Sequence, residues 1–116
     1  MPTETDKWVQ AVTKLTELTQ AGTLTWSVGS SPIIIGETVA GPAFYAEHSG
    51  RRMRVRLVRP VGLAIDPIAK LELLDDEGNL LFAFPEISAL FDLYGAAQYQ
   101  AAGVKGFIDG LIGGDV

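Results

Sequence analysis

Apolar and polar positions divide the chain into a helical opening, a β-rich middle and a helical close. Near the start, Trp8, Val12, Leu15 and Leu18 or Thr19 recur at helical spacing, and Val9 and Ala11 widen the stripe. Lys7, Gln10, Lys14 and Glu17 lie mostly opposite. This predicts an amphipathic helix over about 6–20, capped by Thr3 or Thr5 and stopped by Gly22 in the left-handed conformation. The period then changes to two. Leu24, Trp26 and Val28 alternate with Thr23, Thr25 and Ser27, which predicts a first strand over 23–28 with its aromatic ring inward. Ile33, Ile34 and Ile35 are too few for a helix and too apolar for a free loop, so they are read as a brief second strand or a sheet-edge return. Gly36, Gly41 and Pro42 punctuate a flexible connection that contains Glu37, Thr38 and Val39.

Residues 44–47 and 52–59 form the clearest hairpin. With Ser49-Gly50 as a two-residue loop, His48 faces Arg51, Glu47 faces Arg52, Ala46 faces Met53, Tyr45 faces Arg54 and Phe44 faces Val55. That register gathers Phe44, Ala46, Met53 and Val55 on one face and Tyr45, Glu47, Arg52 and Arg54 on the other. A one-residue slip would mix them. An apolar loop between Pro60 and Pro67 leads to a second hairpin, turning at Asp75-Asp76-Glu77-Gly78-Asn79 in a type I turn with glycine in the left-handed region. Simple alternation places Leu71, Leu73, Leu81 and Ala83 on one face, and Leu74, Leu80, Phe82 and Phe84 on the other.

Pro85 ends the sheet. Ser88 is the expected cap of a helix running to about 102, with Leu90, Tyr94, Ala97 and Ala101 on its buried side. Gly103 stops it, and Val104, Phe107, Ile108, Leu111 and Ile112 mark the apolar face of a last short helix. The expected fold is a single α+β domain: an N-terminal helix, an antiparallel β-meander of four to six strands, and two C-terminal helices packed on the sheet.

Composition supports a folded domain. The 116 residues are 47% hydrophobic and 20% charged, as in ordinary globular proteins. There is no cysteine, which removes disulfides and thiolate chemistry. No apolar run approaches the roughly 20 residues that cross a bilayer, and Thr3, Glu4, Thr5 and Asp6 do not open a signal peptide. A cytoplasmic protein without a membrane partner is expected.

Charge singles out one strand. All five arginines, Arg51, Arg52, Arg54, Arg56 and Arg59, lie within 51–59, which holds no acid, whereas the rest of the chain has four lysines against fourteen acids. An acidic body with one basic strand is a poor general binder of nucleic acid, because its summed field repels phosphate. The guanidinium face is read first as a solvated sheet face, with Arg52 beside Glu47 and Arg54 over Tyr45. The sharper reading makes Tyr45, Glu47, Arg52, Arg54 and Arg56 a partner-binding face for an acidic protein segment.

Catalytic patterns are sparse. His48 is the only histidine and sits beside a tight turn, with no orienting carboxylate predicted. The acidic 75–79 turn lacks the spacing of a calcium loop, and no glycine run has the form of a phosphate loop. No catalytic residue, cofactor or metal site is expected, and the protein is not read as an enzyme.

The chain also resembles a type of small stand-alone bacterial α+β domain. The resemblance rests on residues 15–26, 45–50 and 71–79, on Leu93-Tyr94, and on Gly103-Val104 with Phe107-Ile108-Asp109. It implies a fold and a bacterial or phage-like setting, and carries over no catalytic residue. The favoured expectation is a non-enzymatic accessory domain that binds another protein, or itself as a homodimer, through its sheet face. The alternatives are a nucleic-acid-binding module using the arginine strand, and a small-ligand binder with a pocket lined by Trp26, Tyr45 and Tyr94.

Overall fold

A computed structural model describes residues 4–62 and 66–113. Among these, helix α1 (Glu4–Gln20) precedes six strands, β1 (Ser27–Gly29), β2 (Glu37–Val39), β3 (Ala43–His48), β4 (Arg51–Pro60), β5 (Ile68–Leu74) and β6 (Leu80–Ala83). Helices α2 (Ala89–Ala101) and α3 (Val104–Ile112) follow. The sheet is antiparallel throughout, in the order β1-β3-β4-β5-β6, with β2 paired to the part of β4 that β3 leaves open. Helix α2 packs directly on the sheet, α1 packs against α2, and α3 joins through α2. The fold is the expected α+β arrangement.

The central hairpin has the predicted register at all five pairs, from His48 opposite Arg51 to Phe44 opposite Val55. Ser49 and Gly50 both take positive φ, 52° and 76°, the backbone twist that suits a two-residue hairpin loop. Upstream, the same strand continues as β2. Val39 faces Val58 and Phe44 faces Val55, so residues 40–43 oppose only 56 and 57. This bulge contains Gly41 and Pro42, and the Tyr94 hydroxyl donates to the Pro42 carbonyl at 2.8 Å. A Cβ at Gly41 would lie 2.7 Å from that hydroxyl, so any side chain there would push the Tyr94 hydroxyl from its place.

The strand expected at Ile33–Ile35 is instead at Glu37–Val39. Gly36, at φ 92°, turns the chain, and the next three residues take the free hydrogen-bonding edge of β4 while Ile33 and Ile35 stand in solvent. The first strand is also shorter than expected. Leu24 and Trp26 point inward, but no strand pairs with them. The backbone N–H of Trp26 donates instead to Gln100 Oε1 (2.7 Å), and Gln100 Nε2 donates to the carbonyls of Thr19 (2.9 Å) and Leu24 (2.7 Å). One side-chain amide from α2 therefore does the work of a neighbouring strand.

The second hairpin turns as expected, with Gly78 at φ 87° and the Asp75 carboxylate accepting from the backbone N–H groups of Glu77 and Asn79. Its faces differ from simple alternation. Leu74 faces Leu80 and Leu73 faces Phe82, leaving Leu81 as an extra residue that flips the parity. Phe82 and Phe84 accordingly join the helix side, where both pack on Trp8 at ring separations of 5.7 and 5.1 Å.

Thr5 lies inside α1, which begins at Glu4, and so is not its cap; Thr3 lies outside the described residues; and Ser88 makes no side-chain cap hydrogen bond. The core lies between the sheet and the helices, built from Val12, Trp26, Phe44, Val55, Leu71, Leu90, Leu93 and their neighbours. Leu93, on the same stripe of α2 as Leu90 and Ala97, was not among the expected inward positions. In the loop between the prolines, residues 63–65 lie outside the described residues.

Candidate functional site

Strand β4 sends Met53 and Val55 into the core and Arg52, Arg54 and Arg56 to the opposite face. The structure divides the five residues expected to form one partner-binding surface. Arg52 and Glu47 are exposed and opposite one another, and with Tyr45 they line a shallow groove of about 230 Å³. Tyr45 is half-buried: its hydroxyl donates to the Ser30 carbonyl (2.7 Å), and its ring lies across Gly29 on β1. It therefore packs toward β1, and Arg54 turns to Glu72 rather than standing over it.

Arg54 and Arg56 are buried, the latter only 2% exposed. In the sheet register Arg54 faces Glu72 on β5 and Arg56 faces Lys70. The Arg56 guanidinium donates to Glu72 through Nε (2.8 Å) and Nη2 (3.0 Å), and through Nη1 to Glu37 (2.6 Å). Arg54 donates from Nε to the same Glu72 oxygen at 2.8 Å, and Lys70 Nζ lies 2.7 Å from the other Glu37 oxygen. The result is a chain of five alternating charges, Arg54, Glu72, Arg56, Glu37 and Lys70. Both carboxylates are shared between two cations.

These contacts set the ionisation of the cluster. Burial alone would raise the Glu72 carboxyl, but hydrogen bonds and charge from Arg56 and Arg54 together hold it below the ordinary carboxylate range. Glu37 follows the same balance: burial pushes it up, and Arg56 with Lys70 brings it down further. Burial pulls Arg56 down, and its two carboxylate partners more than reverse that. The Arg54 and Arg56 guanidiniums are directed to internal carboxylates, leaving them little to offer a ligand. Its missing half in the sequence was Glu72, a lone acid within Leu71-Glu72-Leu73-Leu74, and Glu37, in the stretch expected to be a flexible connection.

The three residues expected to line a pocket between sheet and helices do not share one face. Trp26 and Tyr94 are core residues; Trp26 Nε1 donates to the Thr19 hydroxyl at 2.9 Å, and the Tyr94 ring packs edge-on to Phe44. Tyr45 is on the other face of the sheet. Burial raises the Tyr94 phenol above its usual pKa. His48 is exposed at the hairpin end, and among the described residues no group of three or more His, Asp or Glu side chains is placed to hold a metal ion.

The open surface lies on the helical side. Gly103, at φ 66°, separates α2 from α3 by a two-residue turn. Helix α3 has the apolar face its spacing predicts, yet none of its residues is buried: Phe107 is 68% exposed, Leu111 67% and Ile112 81%. Beside it, an open groove of about 920 Å³ runs between the end of α1 and the outer side of α2. It is lined by Phe91 and Tyr99, both about half exposed, with Gly95 and Ala96 between them on α2, and by Thr16 and Gln20 from α1. Phe107 and Leu111 do not line it. Phe91, Gly95 and Tyr99 recur at four-residue spacing, an outer stripe on α2 that was legible in the sequence but had been eclipsed by the inner one.

No protein-family model matches this chain, and no curated protein or solved structure matches it. No described helix is long and apolar enough to cross a membrane.

Proposed function

We propose that this chain is a protein-docking module, and that its docking surface is the outer side of α2 with the apolar face of α3. The observation that carries the reading is α3 itself. A helix with four large apolar side chains at one-face spacing buries none of them, and contiguous apolar surface of that kind marks an interaction site. The expectation of binding through the sheet face shifts accordingly, because Arg54 and Arg56 are bound to Glu72 and Glu37. The same closure weakens the case for a nucleic-acid interface: Arg51, Arg52 and Arg59 remain exposed on a body with nine basic residues against fourteen acids.

A membrane surface would also accept an apolar helix face. Interfacial helices, however, carry basic residues on the polar face, and α3 offers Lys105 balanced by Asp109. The test is affinity capture from the protein's own cells with wild type, Phe107→Asp/Leu111→Asp and Arg52→Glu. Wild type and Arg52→Glu retain a stoichiometric protein, a differently tagged copy of the chain included, and the α3 variant loses it. The same bound proteins on all three, or none on any, would overturn the reading.

A further inference from the structure

We infer that the docking partner is a second copy of this chain, with α3 of each protomer seated in the α1–α2 groove of the other. This rests on the reading of α2–α3 as a docking surface and names its occupant. One molecule carries both halves of a contact it does not make with itself: an unburied apolar helix and, next to it, an unfilled groove lined in part by Phe91 and Tyr99. The groove has room at Gly95, since no side chain or neighbouring backbone lies within 4 Å of a Cβ built there. The two-residue turn at Ala102-Gly103 starts α3 at the groove's rim, where Gly103 and Lys105 are part of the lining, and carries Phe107 and Leu111 beyond it. A two-fold axis satisfies both halves at once, because in an isologous pair residue i meets j and j meets i.

Area and composition agree with a second copy. A fully exposed aromatic side chain presents roughly 150–250 Å². Scaled by their exposed fractions, Phe91 and Tyr99 of the groove and Phe107, Ile108, Leu111 and Ile112 of α3 offer on the order of 600 Å² per copy, so a dimer that covered all of them would bury about 1,200 Å². That reaches the lower bound for a specific interface. Homodimer interfaces are also more apolar than transient ones, and among the described residues the charges lining the groove or on α3 are Asp92, Lys105 and Asp109. The surface is nearly neutral in a chain of net charge −5, so self-association here avoids most of the like-charge repulsion between two acidic bodies.

Sedimentation velocity and light scattering on the full chain test this. Wild type is expected at twice the 12.4 kDa chain mass, dissociating on dilution. Phe107→Asp/Leu111→Asp, which removes the inserted face, and Gly95→Trp, which fills the groove, are each expected at the single-chain mass with unchanged circular dichroism; Tyr99→Asp serves as a second groove variant if Gly95→Trp misfolds. Mixing the α3 variant with a groove variant pairs one intact α3 with one intact groove, and recovers a weaker dimer of twofold mass. A single-chain mass for wild type at every concentration would overturn the exchange. A dimer untouched by both kinds of variant, or a mixture that stays monomeric, would also overturn it. A monomeric wild type whose α3 variant still loses a captured protein removes only the second copy, and leaves the docking surface standing.

Discussion

The two sides of this molecule invert the usual relation between polarity and exposure. On the outer sheet face five charged side chains are drawn together and largely closed off, while on the helical side large apolar side chains stand in water. The difference follows from what each region has across from it. Strand β4 is flanked in register by β5, which puts Glu72 opposite Arg54 and two pairs along from Arg56 on the same face; complementary charges are supplied by the chain itself. Among the described elements, helix α3 has only α2 beside it. A residue's character therefore states what it needs, and topology decides whether the chain meets that need internally or leaves it to a partner.

The sharpest way to break the charged side is to remove its shared acceptor. Glu72→Ala leaves buried Arg54 without its carboxylate and Arg56 with Glu37 alone, and loss of one member of a buried ion cluster costs about 3–5 kcal/mol. Urea unfolding is expected to show that loss, with most of it recovered in Arg54→Leu/Arg56→Met/Glu72→Leu, which removes the charges together. A triple variant no more stable than Glu72→Ala would mean that packing, and not unpaired charge, accounts for the cost. Leu93→Ala is the reference on the core side, where removing a fully buried leucine costs about 2–5 kcal/mol.

The same cluster predicts an acid limit. Glu72 and Glu37 are held below their ordinary value of 4.5 in the folded chain. Their stabilising contribution is therefore complete above that value, and is lost as pH falls through the lower folded values. Thermal melts are expected to be flat in this respect above pH 4.5 and to decline below it. Glu72→Gln is expected to start lower and to decline less. An equal acid dependence in both proteins would place the titrating groups elsewhere.

Between the two sides sits a neutral polar link, Gln100, whose amide satisfies the backbone of Thr19, Leu24 and Trp26. Gln100→Ala removes the side-chain partner of the Trp26 N–H and the Leu24 carbonyl, while the Thr19 carbonyl keeps the Gly22 N–H, at about 1–3 kcal/mol. Faster amide exchange at Trp26, with β4 unaffected, would separate this link from a global loss of stability.

What was legible in the sequence follows the same division. The hairpin through Tyr45 and Arg54 could be paired residue by residue, because polar and apolar positions alternate on both strands and only one register keeps the faces apart. In Leu80-Leu81-Phe82-Ala83 every position is apolar, so alternation carried no parity and the bulge at Leu81 could not be seen. Ile33–Ile35 are hydrophobic without being paired, since hydrophobicity does not decide which segment takes a free edge and that of β4 goes to Glu37–Val39. The arginine face was visible as a face. Its partners were not, since Glu37 and Glu72 reach it only through the folded order of the strands.

Periodicity also foretold α3 as a helix without saying whether its stripe would be covered, and this leads to the smallest expected effect. Because Phe107 and Leu111 touch no core, Phe107→Ser/Leu111→Ser is expected to change the stability of the single chain by no more than about 0.5 kcal/mol, measured at concentrations where wild type has dissociated. At higher concentrations the two proteins diverge: wild type gains stability by mass action as the dimer forms, and the variant does not. A Tm that rises with concentration in wild type alone would locate the missing contact on α3. A variant destabilised equally at all concentrations would show instead that α3 is held within its own chain, and the contrast between a closed charged side and an open apolar one would not survive.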